Sequence, residues 1–220
     1  MPGNHAQIVI RSREFGDGSE YDMDDSQTAS MIPDHYVKRF WRKAALPISG
    51  GTSRTVQFIN KDPDSRDRSV AFSTLETGGI IKVTSGGYNE GGNEIATLQL
   101  GSGKGAEKSA KLTMGGKTGA VKDMLKKTNH MSTSRSFTGP DGISYKWKVI
   151  WVGNDPAFPE ATFRELYTKD SPHPLATTAR LNSRDGNMNE EAYPVYVAER
   201  GLAIQSFIIA TLVVLDAISA

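Results

Sequence analysis

Four histidines, His5, His35, His130 and His173, are the natural candidates for metal ligation or acid–base work in a chain of 220 residues that has no cysteine. No two of them stand at metal-ligand spacing, and His173 lies between Pro172 and Pro174, so each reads as a surface imidazole. The carboxylate pairs Asp24-Asp25 and Glu190-Glu191 fall in tail-like and turn-like stretches, where water keeps them ordinary acids. A serine hydrolase needs a G-x-S-x-G elbow, and the chain has none. Two glycine–lysine stretches imitate phosphate loops. Gly101-Ser102-Gly103-Lys104-Gly105 lacks the G-x-G-x-x-G spacing, and Gly115-Gly116-Lys117-Thr118 has Lys111 where a P-loop requires its first glycine. These residues predict a protein that is not an enzyme and carries neither metal nor cofactor.

What survives is charge. Lys104, Lys108, Lys111, Lys117, Lys122, Lys126 and Lys127 outnumber Glu107 and Asp123 in one stretch, although the net charge of the whole chain is only +1. Such a cluster can hold a phosphate or an anionic lipid headgroup, each lysine contributing on the order of 1 kcal/mol beside a charged surface. The alternative is a solvated hairpin and helix face, with a short helix near Val121–Lys127 carrying Val121, Met124 and Leu125 inward. A second basic stretch, Tyr36–Lys43, combines Val37, Phe40, Trp41 and Ala44 at helical spacing with Lys38, Arg39, Arg42 and Lys43. That spacing predicts a short amphipathic helix over 35–44, docked on the domain by its aromatic face or offered to a protein partner.

The elements that must position these residues are strands. Thr55–Ile59, Val70–Leu75, Ile80–Thr84, Ile95–Leu100, Ala161–Thr168, Leu175–Leu181 and Tyr193–Ala198 are β-compatible runs of similar length. Gly-, Pro- and Asn-rich turns separate them, as in an antiparallel sandwich or barrel. Pro194 fits the start or edge of its strand. The sharpest local signal is Arg135–Lys148. Gly139-Pro140-Asp141-Gly142 is a turn in which Pro140 presets φ and Asp141-Gly142 supplies the polar and left-handed positions. Beyond it Ile143, Tyr145, Trp147 and Val149 alternate with Ser144, Lys146 and Lys148. The alternation puts the aromatics on a core face, which argues against a nucleic-acid stacking platform.

This hairpin resembles a hallmark of uncharacterised fungal domain-of-unknown-function proteins of mushroom-forming species, distantly related to the tubby-like, LURP-one and scramblase-like barrels. The matching residues are Arg135, Phe137, Thr138, Asp141, Gly142, Tyr145, Trp147 and Lys148. Ala71–Thr77, Glu94–Leu100, Pro174–Arg180 and Tyr193–Leu215 follow the family's pattern in order, with Leu100 near where the family often has tryptophan. The resemblance covers about residues 55–216 and implies a fold without assigning catalytic residues. By it the domain is a binding module for an anionic lipid or phosphoinositide, with Lys104, Lys108, Lys111, Lys117 and Lys122 as the expected headgroup contacts. Arg135, Phe137, Asp141, Gly142, Tyr145 and Trp147 would then be structural.

The last stretch, Gly201–Ala220, is the most apolar of the chain. Gln205, Ser206, Thr211 and Asp216 interrupt it, whereas a membrane span wants about 20 mostly apolar residues. On a helical wheel Gln205, Asp216 and Ser219 share one narrow side and apolar residues fill the rest, so a helix over 202–218 belongs inside something. The expected organisation is an acidic disordered tail over 1–34, a basic aromatic segment and linker over 35–54, and a domain over 55–220. That domain is mainly β: a tubby-like antiparallel β-barrel around a buried C-terminal hydrophobic helix. A tail anchor is the competing reading of the helix. The first thirty residues lack the apolar core of a secretory signal, so the expectation is an intracellular, cytoplasmic monomer. Peripheral membrane association through a lipid, or an unidentified protein partner, fits this expectation; nucleic acid does not.

Overall fold

Among the described residues, short β-branched and aromatic runs punctuated by turn residues become thirteen antiparallel strands around a C-terminal helix. The computed structural model describes residues 36–45, 53–60, 69–87, 91–101, 109–128, 133–151, 161–181 and 193–219. The acidic stretch 1–34, His5, His35, His130, Lys104, Lys108 and both carboxylate pairs lie outside the described residues.

The strands are β1 (Tyr36–Ala45), β2 (Arg54–Asn60), β3 (Val70–Thr77), β4 (Ile80–Ser85), β5 (Glu94–Gln99), β6 (Lys111–Met114) and β7 (Lys117–Ala120). A single helical turn, α1 (Val121–Met124), leads to β8 (Lys126–Lys127). The chain continues as β9 (Arg135–Thr138), β10 (Ser144–Trp151), β11 (Ala161–Thr168), β12 (Ala176–Leu181) and β13 (Tyr193–Ala198). A 3₁₀ segment, Glu199–Ile204, then feeds α2 (Gln205–Ser219). The sheet order is β7-β6-β5-β4-β3-β2-β1-β13-β12-β11-β10-β9-β8. Every pairing but one joins strands adjacent in sequence; the exception is β1 on β13. Among the described residues no ladder joins β7 to β8, so the hydrogen-bonded sheet is open there, and α1 packs beside both strands.

Period-two burial explains the strands. Ile81 and Val83 of β4, Ala96 and Leu98 of β5, Leu112 and Met114 of β6, and Tyr145 and Trp147 of β10 turn inward, while Lys82, Gln99, Lys111 and Lys148 turn out. Those inward rows enclose α2, whose Ile208, Ile209, Ala210, Leu212 and Val214 are fully buried. Each large aliphatic side chain so covered contributes about 1.5–3 kcal/mol gross. The 3₁₀ segment crosses close under β13. A Cβ on Gly201 would lie 2.8 Å from the Leu175 carbonyl oxygen and 2.9 Å from Val197 Cγ1, a gap only glycine fills.

Three expectations are corrected. The expected helix over 35–44 is not formed by its described residues: Tyr36–Ala45 is strand β1, paired with β2 over Phe40–Ala45 and with β13 over Tyr36–Arg42. Its Tyr, Val, Phe and Trp content suits a pleated surface as well as a helix face, and two flanking ladders decide the matter. The domain therefore begins at Tyr36, ahead of residue 55, and the segment expected to serve as a linker or docking helix includes a central strand. Over 121–127 the helix stops at Met124, and Lys126 and Lys127 pair with Ser136 and Arg135 instead. Ile143, expected on the inner face with Tyr145 and Trp147, is 47 % exposed, because the strand begins only at Ser144.

Candidate anion-binding groove

The hairpin Arg135–Trp151 carries two different surfaces. Its turn is built as expected: Gly142 N–H donates to the Gly139 carbonyl at 3.1 Å, and Gly139 N–H to the Ile143 carbonyl at 2.8 Å. Asp141 closes it from the side chain. One carboxylate oxygen accepts from Ile143 N–H at 3.0 Å and the other from the Tyr145 hydroxyl at 2.5 Å. Burial pulls the Asp141 carboxyl upward, but the hydrogen bonds from Tyr145, from Ile143 N–H and from its own backbone outweigh it and hold the group below its ordinary value. Burial and the same bond push the Tyr145 phenol up to about 12.

On the inner face, Phe137 stacks on Tyr145 with ring centroids 5.4 Å apart, and the Trp147 indole N–H donates to Thr211 Oγ1 of α2 at 2.9 Å. Arg135, 6 % exposed, reaches the Leu125 carbonyl at 3.4 Å. One strand over, Arg164 forms a buried ion pair with Asp216 of α2. Asp216 thus serves as an internal partner rather than as part of a solvated helix edge. The motif residues Arg135, Phe137, Asp141, Gly142, Tyr145 and Trp147 all hold the hairpin or anchor the helix.

The outer face of the same strands is basic. Register sets Lys126 opposite Ser136, Ser136 opposite Lys146, and Lys146 opposite Tyr167, one row across β8, β9, β10 and β11. Around this row opens a groove of about 370 Å³ lined by Ser136, Ser144, Lys146, Lys148, Tyr167, Thr168, Lys169 and Ser171. Lys148 Nζ sits 3.9 Å over the Tyr167 ring, whose hydroxyl bonds Glu165, the residue opposite Lys148. Lys148 is thereby held in place, an exposed cation–π contact of about 0.5–1 kcal/mol. Lys146 and Lys169 take no carboxylate partner among the described residues. Arg200 donates to Ser171 Oγ at 3.1 Å and steadies the far wall. Ammonium groups beside the Ser136 and Ser144 hydroxyls are what a phosphate-sized anion binds.

The lysines singled out from the sequence are not gathered in this way. Lys104 and Lys108 lie outside the described residues. Lys111 faces Ala120 and Lys117 faces Met114 across a four-residue hairpin, which puts them on opposite faces of it; Lys122 is exposed on α1. The imitation P-loop is the turn of that hairpin, with Gly115 and Gly116 at φ 59 and 73, left-handed values that a two-residue turn requires. His173 is an exposed loop residue whose N–H meets Ser171 Oγ at 3.2 Å. The described residues contain no group of three or more His, Asp or Glu placed to hold a metal ion. The groove escaped sequence reasoning because alternation marks Lys146 and Lys148 as outward but says nothing of Tyr167, Lys169 or Ser171 beside them.

A family model described as a family of unknown function, DUF6593, matches residues 53–218, most of the chain. The chain belongs to that family. No curated protein and no solved structure matches it. The DUF6593 match spans β2 through α2 and so includes the motif hairpin, the groove and the buried helix, while β1 lies ahead of it.

Proposed function

We propose that this DUF6593 chain is a non-catalytic binding module on a tubby-like barrel, and that its ligand is a phosphate-bearing anion held in the groove of β9–β11. The observation that carries the reading is the convergence of Lys146, Lys148 and Lys169 with five hydroxyl-bearing residues on one concavity. An antiparallel sheet around a C-terminal helix, open between β7 and β8 among the described residues with α1 beside both strands, is compatible with the tubby-like reading. Among tubby-like ligands a phosphoinositide headgroup has the matching chemistry. The tail-anchor alternative would have to withdraw Ile208, Ile209, Leu212 and Val214 from complete burial and break two polar ties, which weighs against it. That weighing matters because Glu199–Ile218 is, among the described residues, the one helical stretch long and apolar enough to cross a membrane.

Titration of the full chain with soluble inositol trisphosphate, followed by calorimetry at several salt concentrations, tests the reading. Saturable binding that weakens with salt is expected, with a loss of at least about tenfold in the K146E/K169E double variant, since each lysine is worth on the order of 1 kcal/mol. No binding by the native chain, or equal binding by the variant, would overturn it.

A further inference from the structure

Five hydroxyl groups line the groove, and they differ in how free they are. The Tyr167 hydroxyl donates to Glu165. Ser171 Oγ accepts from Arg200 and from His173 N–H and donates to the His173 carbonyl at 3.1 Å. Thr168 Oγ1 is buried, and Ser136 is half-buried in mid-row between Lys126 and Lys146. Ser144 alone of the five is exposed, and its hydroxyl bonds no other described residue.

Its surroundings are basic by register. Ser144 and Lys146 lie two apart in β10 and so share the outer face, about 7 Å apart along the strand. Tyr145 pairs with Thr168, and one step beyond that pair stand Ser144 and Lys169, both on the groove wall. Ser144 is therefore flanked by one lysine along its strand and another across from it, a spacing that flexible four-carbon stems can span. The residue is also accessible: Asp141, Gly142 and Ile143 before it are exposed, and β10 begins at Ser144 itself. Lys146 and Lys148 follow at the second and fourth positions, a charge pattern that a kinase with an acidic substrate cleft reads.

Resting on the anion-binding reading of the groove, we infer that Ser144 is a phosphorylation site whose phosphate Lys146 and Lys169 hold, so that the chain closes the groove with an anion of its own. In the transfer the γ-phosphorus of a nucleoside triphosphate bonds to Ser144 Oγ, its bond to the diphosphate oxygen breaks, and the hydroxyl proton passes to the kinase's base. A phosphoserine dianion beside two ammonium groups forms charge-assisted hydrogen bonds that order its side chain. It takes the place of a free phosphate ester and repels one, so modification and ligand exclude each other.

The test uses the full chain, a nucleoside triphosphate and a protein kinase that prefers basic residues after the acceptor. Peptide mass spectrometry maps the product, with S144A as the control that loses the label. Phosphate is expected on Ser144, and the phosphorylated chain should bind soluble inositol trisphosphate at least about tenfold more weakly than the unmodified chain. Phosphorus NMR then reads the phosphate itself: a free phosphoserine titrates at about pH 6, and flanking ammonium groups favour its dianion and lower that value. In K169E, which keeps the acceptor and the lysines after it, the label should still enter while the titration midpoint moves back up. Because Lys169 is exposed, the variant keeps its fold, and an unchanged melting curve verifies it. No label on Ser144, an unchanged affinity after labelling, or the same midpoint in K169E overturns the inference while the groove reading stands. If the unmodified chain ignores inositol trisphosphate, the groove reading falls and this inference falls with it.

Discussion

The two halves of the sheet hold the same helix by different means. Strands β2–β7 share one buried cluster with α2 through aliphatic and aromatic side chains such as Phe58, Val83, Leu98 and Leu112. Strands β9–β13 add two buried polar ties, Trp147 to Thr211 and Arg164 to Asp216. Their outer surfaces differ in parallel. On the first half Lys82 has Glu94 within 3.7 Å, and Glu94 also accepts from Thr97 at 2.6 Å, so charge is matched locally. On the second, Lys146 and Lys169 flank an open groove without such a partner among the described residues. Apolar packing tolerates rotation of a helix inside a sheet, because burial has no direction; a hydrogen bond and an ion pair do not. The half that fixes the helix's orientation is also the half whose outer face carries the groove.

The largest effect expected from breaking that contrast comes from D216A. It strands the Arg164 guanidinium in the core, and chemical denaturation should show a loss of about 3–5 kcal/mol, the cost of removing one partner of a buried pair. Equal stability of D216A and native protein would show that the second half is held as the first is. T211V leaves the Trp147 N–H buried without its acceptor and should cost about 1–3 kcal/mol. Adding W147F to T211V should recover part of this if the bond itself is responsible.

Alkaline pH probes the hairpin that joins the two surfaces. The Tyr145 phenol is raised from 10.0 to about 12 in the folded chain, first by burial and then by its bond to Asp141. Folding favours the protonated phenol, so this contribution to stability is complete below pH 10.0 and is lost as pH rises through about 12. Denaturant midpoints measured across that window should fall in the native chain and fall less in Y145F. The smallest change belongs to the first half's surface: E94Q removes an exposed pair and should alter stability by less than about 1 kcal/mol, with no effect on phosphate binding.

Much of this was legible beforehand. Ala161–Thr168 and Tyr193–Ala198 are strands with the bounds their composition predicts, and the Gly139–Gly142 turn and the C-terminal helix follow from local spacing. The candidate site was not. Lysine density pointed to 104–122, yet a dense run scatters its side chains when the chain doubles back, as Lys111 and Lys117 do on two sides of one hairpin.

The sequence by itself determined the periodic facts: which residues alternate, where the chain turns, and that Leu202–Ile218 is too apolar to remain uncovered. These are written within a few residues of each other, in the pleat's period of two and the helix's 3.6. Tertiary structure alone decided the partners. Tyr36–Ala45 became a strand because β2 and β13 were there to pair with it. Trp147 found Thr211 across 64 positions, and Arg164 found Asp216 across 52. Lys146 was set beside Tyr167, Lys169 and Ser171 by the β10–β11 register and the turn that follows. Contacts across such distances depend on how many strands wind about the helix and in what register, which no local spacing encodes.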